Sequence, residues 1–164
     1  MTTKAAFALW QAGRLEEATA SYRAALDAMP ADEDVRGEIH GELAAVLQGL
    51  GDHTGALYHL EAAVDGARRV AGSDASLPVL ITRYFMADHL RRQGRPEEAL
   101  AAIAAPLDSA ADKTWLLYVA EADALLALGR RDYAAAAVER ALALAPSDEK
   151  RAELTARFAA AGLT

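Results

Sequence analysis

The sequence predicts an all-α protein, a solenoid of antiparallel helix pairs with about nine helices, and three observations predict it. A glycine recurs at Gly13, Gly51, Gly94 and Gly129, each seven residues after an alanine (Ala6, Ala44, Ala87, Ala122) and four after a leucine (Leu9, Leu47, Leu90, Leu125). Each also stands five residues before a second alanine (Ala18, Ala56, Ala99, Ala134), and a pattern held in four registers marks an internal repeat. Alanine, the best helix former, supplies 42 of the 164 residues, while the 5 prolines sit mostly where one helix would stop and another start.

Each glycine follows an amphipathic run, where a left-handed residue ends one helix and lets a second begin at once. Every unit is therefore a helical hairpin. Pairs are predicted over 2–12 and 15–28, 33–50 and 53–71, 78–93 and 96–109, and 113–128 and 131–144. Asp32-Glu33-Asp34 leads into the third helix, where carboxylates favour the macrodipole. The alanines let paired backbones approach closely, and Tyr22, Leu60, Ile103 and Val138, nine residues after each glycine, fill the space behind. Twelve residues after the glycines stand Ala25, Ala63, Pro106 and Ala141. Pro106 breaks the small-residue rule inside a helix, which is expected to end or kink there because proline lacks the N–H and crowds the previous turn. Ala71 to Leu77 reads as a loop, with Pro78 suited to the first turn of the next helix. After Pro146, Ser147-Asp148-Glu149-Lys150 starts a ninth helix over 148–161, whose Leu154, Phe158 and Ala161 form an apolar stripe able to cover the last hairpin.

These residues resemble the tetratricopeptide repeat family, whose unit is a helix, turn and helix of about 34 residues with small residues at these places and a closing proline. Gly13-Arg14-Leu15-Glu16-Glu17-Ala18 with Tyr22, Ala25 and Pro30, and Gly129 through Ala134 with Ala141 and Pro146, carry the likeness best. The glycines are spaced 38, 43 and 35 residues apart, so longer helices or loops must absorb the excess. The resemblance implies a right-handed superhelix in one domain over 1–164, with repeats at about 1–30, 33–71, 78–110 and 113–146 and a capping helix at 147–162.

The resemblance also implies a concave groove lined by the first helix of each hairpin. In that register the lining residues are Lys4, Phe7, Trp10 and Gln11; then Glu38, Glu42, Ala45 and Gln48; then Tyr84, Phe85, Asp88, Arg91 and Arg92; and finally Leu116, Val119, Asp123 and Leu126. Phe7, Trp10, Tyr84, Arg91 and Arg92 lead as partner contacts, since aromatic and arginine side chains dominate binding hot spots. The alternative for the aromatics is packing against neighbouring first helices, with Trp10 the best exception because no repeat precedes it. For the two arginines the alternative is a solvated helix end. One branch of the family grips a chaperone's terminal carboxylate with lysine, asparagine and arginine. This chain has no asparagine and carries Phe7, Glu42 and Phe85 in the corresponding places, so that mechanism is not expected.

A net charge of −7 argues against a general nucleic-acid binder, although Arg83, His89, Arg91, Arg92 and Arg95 form a candidate basic cluster. Residues 1–6 lead straight into the first repeat with no long apolar stretch, so neither a signal peptide nor a membrane span is expected and the cytoplasm is the default compartment. Without cysteine there is no disulfide or thiol chemistry, and the alanine-rich composition is compatible with a GC-rich bacterial genome. HExxH, GxxxxGK[ST] and GxSxG motifs are absent, so no enzyme activity and no cofactor are expected. Of His40, His53, His59 and His89, only His53 and His59 are close in sequence, on different helix faces, and no metal site is expected. Asp88 and Asp123 hold equivalent groove positions and could pair, but an ion pair of Asp88 with Arg91 or Arg92 is the stronger expectation.

Three functions stay open. The first is a non-enzymatic adaptor that holds a peptide or helix of a partner protein in the groove. The second is a homo-oligomeric structural module. The third is an inhibitor or immunity-type protein whose acidity complements a basic cognate enzyme.

Overall fold

The computed structural model describes residues 3–108 and 115–163, and among them every regular element is an α-helix. In chain order these are α1 (Thr3–Gln11), α2 (Leu15–Asp27), α3 (Arg36–Gly49), α4 (His53–Ala71), α5 (Leu77–Arg92), α6 (Pro96–Asp108), α7 (Trp115–Ala127), α8 (Arg131–Ala143) and α9 (Asp148–Ala159). They pack as successive hairpins, α1 on α2, α3 on α4, α5 on α6 and α7 on α8, as expected for an α-solenoid. The described residues fall into two compact units, divided between Ser73 and Asp74.

The first helix of every hairpin ends in the same way. After α1, Gly13 takes φ +74°, its N–H donates to the Trp10 carbonyl at 2.9 Å, and the Arg14 N–H reaches back to the Leu9 carbonyl at 3.0 Å. This is the Schellman closure, which satisfies carbonyls that a helix end would otherwise orphan. The same two bonds recur at Gly51, Gly94 and Gly129. They recur again at Gly162 after α9, so the last helix closes like a first helix, which the alanine register did not reveal.

Among the described residues one helix end lies more than two positions from the sequence reading. α3 starts at Arg36 rather than 33 because the acidic run is held in a turn, with Glu33 N–H donating to Pro30 and Arg36 N–H to Glu33. α6 does not end at Pro106 but continues to Asp108. Proline removes the donor that would reach the Ala102 carbonyl, and the Arg83 guanidinium of α5 donates to that carbonyl instead. The start expected for α7 at 113 lies outside the described residues, and the helix is described from Trp115.

In the first unit, Ala6, Ala18, Tyr22, Leu26, Ile39, Leu43, Val46, Leu47 and Ala56 form the core. Arg36 ties the two hairpins together by donating from Nη1 to the Leu26 and Met29 carbonyls at 2.7 and 2.8 Å, where α2 ends. α4 is opened by Asp52, whose carboxylate accepts from Gly55 N–H at 2.9 Å. α3 and α4 nearly touch at Gly37 and Gly66, where a Cβ on Gly66 would lie 2.7 Å from the Gly37 Cα.

In the second unit, α5 packs on both α6 and α7. The core at the α7–α9 end holds Val119, Ala122, Leu125, Ala134, Ala137, Val138, Ala141, Leu154 and Phe158. α9 starts on Ser147, whose hydroxyl accepts from Lys150 N–H, and it covers the α7–α8 hairpin with Leu154 and Phe158 as expected. Arg131 fastens its far end by donating to the Ala161 and Gly162 carbonyls, each at 3.0 Å.

Gly66→Ala forces a methyl group into the α3–α4 backbone contact and is expected to cost about 1–3 kcal/mol, as overpacking of an interior does. Gly41→Ala, whose new Cβ meets only the Ala63 Cβ at 4.0 Å, is expected to cost far less. Urea unfolding of the two variants beside the parent measures the contrast.

Candidate functional site

The first helices of the hairpins carry the residues that the core does not use. On α1, Lys4, Phe7 and Gln11 are exposed, and Phe7 leaves 42% of its surface in water. Trp10 is half-buried against the first core, with the Phe7 ring meeting it edge-on at 5.6 Å. The tryptophan expected to stand open is thus partly a core residue, and Phe7 is the aromatic that faces solvent. On α3, Glu38 and Gln48 are exposed and Glu42 and Ala45 half-buried. Glu42 lies beside the phenol of Tyr22, a fully buried residue, and burial together with that carboxylate pushes the phenol's pKa up.

On α5 of the second unit, Tyr84 packs against the core at the α7–α9 end, while Phe85 is 54% exposed and meets the Tyr84 ring at 5.5 Å. Asp88 receives Arg91 and Arg92 together, each at 2.8 Å, which is the ion pairing expected from the sequence. On α7, Leu116 and Leu126 are half-buried, and Val119 at 2% exposure belongs to the core rather than to an open face. Asp123 is bound by Arg157 of α9 and does not pair with Asp88. Burial raises the Asp123 carboxyl above its ordinary value despite Arg157 and Arg91, because removal from water penalises the charge more than the guanidiniums favour it.

The candidate basic cluster does not survive as a positive surface. Asp74 faces Arg83, Asp88 faces Arg91 and Arg92, Glu98 receives Arg95, and His89 is buried. Asp88 and Glu98 stand within a helix turn of their arginines, as local spacing allows, while Asp74 comes from the loop before α5.

The histidines are brought together in a way that linear spacing concealed. His40 of α3 and His59 of α4 place their Nδ1 atoms 2.8 Å apart, with ring centres 5.0 Å apart and planes inclined by 29°. With those separations the nitrogens lie close to the line joining the ring centres, so each points at the other and not at a common third point. The pair is one N–H···N hydrogen bond and not a metal chelate. Among the described residues no three His, Asp or Glu side chains gather as metal ligands. His40 also borders a polar cleft of about 210 Å³ with Arg36, Asp65 and Arg69. Burial, His59 and Arg36 push the His40 pKa down to about 4, and burial with Arg23 lowers His59 while Asp52 opposes the shift.

Residues 35–104 match the model of the tetratricopeptide repeat. No curated protein matches the chain. No helix among the described residues is long and apolar enough to cross a membrane.

A histidine whose folded pKa lies below its unfolded value stabilises the fold while both states are neutral, and that stability is lost as pH falls from about 6.5 through about 4. Both rings cannot hold protons on facing Nδ1 atoms at this distance. Half-burial screens the effect, so the loss is expected to be about 1–2 kcal/mol. The melting temperature of the parent is expected to drop across this window more than that of His40→Gln, the difference between the two curves isolating the pair from the carboxylates.

Proposed function

Since residues 35–104 of this chain belong to the tetratricopeptide repeat family, whose repeats are generally modules of protein–protein interaction and typically non-enzymatic, we propose that it is a non-catalytic adaptor. It binds a peptide or helix of a partner protein on the faces of its first helices. The observation that carries this reading is the pair of exposed aromatics, Phe7 on α1 and Phe85 on α5, at positions the hairpin cores leave unused. The exposed part of each ring contributes little to folding, and aromatic side chains recur among residues that anchor partners. Lys4 and Gln11 on α1 and Arg92 on α5 are exposed polar residues of the anchors' own helices, and Glu38 and Gln48 are exposed on α3. Of the remaining residues proposed from the sequence, Trp10 and Tyr84 support the anchors from the core side, and Asp88 orders Arg91 and Arg92.

Capture from native lysate with the parent and with Phe7→Ala/Phe85→Ala baits of equal helicity tests this reading. A protein retained by the parent is expected to fall at least tenfold with the double variant. Equal retention on both baits, or recovery only of further copies of the chain, would sink it.

A further inference from the structure

The net charge of −7 is unevenly placed. Residues 1–73 carry 6 basic and 11 acidic side chains, and residues 74–164 carry 11 and 13. In the second unit, the carboxylates on first helices are answered by cations: Asp88 by Arg91 and Arg92, Glu121 by Arg140 and Asp123 by Arg157. The first unit differs at α3. Glu38 and Glu42 stand one turn apart, so their charges share a face, and among the described residues neither is joined to a cation by an ion pair. Arg36, on the same helix, is committed to carbonyls at the end of α2.

Two further observations bear on this face. The Tyr22 hydroxyl is fully buried, has Glu42 beside it, and makes no hydrogen bond of normal geometry. One helix along, Phe7 presents an exposed ring propped edge-on by Trp10. A half-buried carboxylate, a second carboxylate one turn away and an exposed apolar ring on α1, which touches α3, describe the complement of a particular ligand.

From this arrangement, and resting on the adaptor reading above, we infer that the α1–α3 face of the first unit takes a cationic segment of another protein. That segment has lysine or arginine side chains about one helical turn apart, beside one aromatic or aliphatic anchor. The cations meet Glu38 and Glu42, relieving a like-charge repulsion that the free protein tolerates, and the anchor covers Phe7. Nucleic acid carries the charge of the receptor and is not accommodated there.

Panning a random twelve-residue phage-displayed library on the full-length chain, then titrating labelled synthetic copies of the enriched peptides, tests this. Peptides with lysine or arginine beside an apolar residue are expected. Glu38→Gln/Glu42→Gln, near-isosteric substitutions at partly exposed positions, is expected to weaken them at least tenfold at low salt and to flatten the salt dependence of binding. Phe7→Ala is expected to weaken them at all salt concentrations alike, with helicity and melting temperature of every variant close to the parent's. Enrichment of acidic or neutral peptides that still need Phe7 overturns the cationic partner and leaves the adaptor reading standing. Peptides indifferent to Phe7 and to both glutamates, or no enrichment at all, overturn both.

Discussion

The left-handed glycine at the end of each first helix is the constraint on which the rest of the structure hangs. A Cβ added at Gly13, Gly51, Gly94 or Gly129 would meet nothing within 4 Å, so the requirement there is conformational and not one of space. An L-residue with a side chain pays roughly 1–2 kcal/mol to hold that backbone. With glycine the chain reverses within about two residues, and the second helix must lie against the first. The alanines seven before and five after each glycine then meet at the crossing, and all eight are buried.

Gly37 and Gly66 obey a different rule. They lie within helices, where glycine weakens the element, and the compensation is the backbone contact between α3 and α4. That closeness also sets His40 against His59, so a packing choice made by two glycines produces an imidazole pair with depressed proton affinity. The long interval of 43 residues between Gly51 and Gly94 is absorbed nearby, by the 19 residues of α4 and by the turn after it, where Gly72 takes φ +62°.

The two units handle charge in contrasting ways. In the second, half-buried carboxylates are matched by arginines from the same helix or from one of the two that follow, and the raised proton affinities of Glu121 and Asp123 record what burial costs them. In the first, among the described residues, Glu38 and Glu42 of α3 have no such partners, and Phe7 of α1 stays exposed. Charge satisfied internally orders a scaffold, while charge left open is available to a partner.

Helix positions, hairpin turns and the eight interfacial alanines could be read from the residues because each depends on neighbours within about one turn, and local spacing encodes them. The continuation of α6 past Pro106 has the complementary cause: the carbonyl that proline orphans finds its donor in Arg83, on another helix. Trp10 and Val119 fit the groove register, yet one is half-buried and the other wholly core, since helical spacing fixes a direction and not what stands in it. The pairing of His40 with His59 and of Asp123 with Arg157 joins residues 19 and 34 positions apart. The sequence by itself determined the repeat, its hairpins and its acidity, all local or additive properties. Only the tertiary structure decided which aromatics meet water and which charges are already neutralised, because both depend on the side chains that neighbouring helices bring alongside.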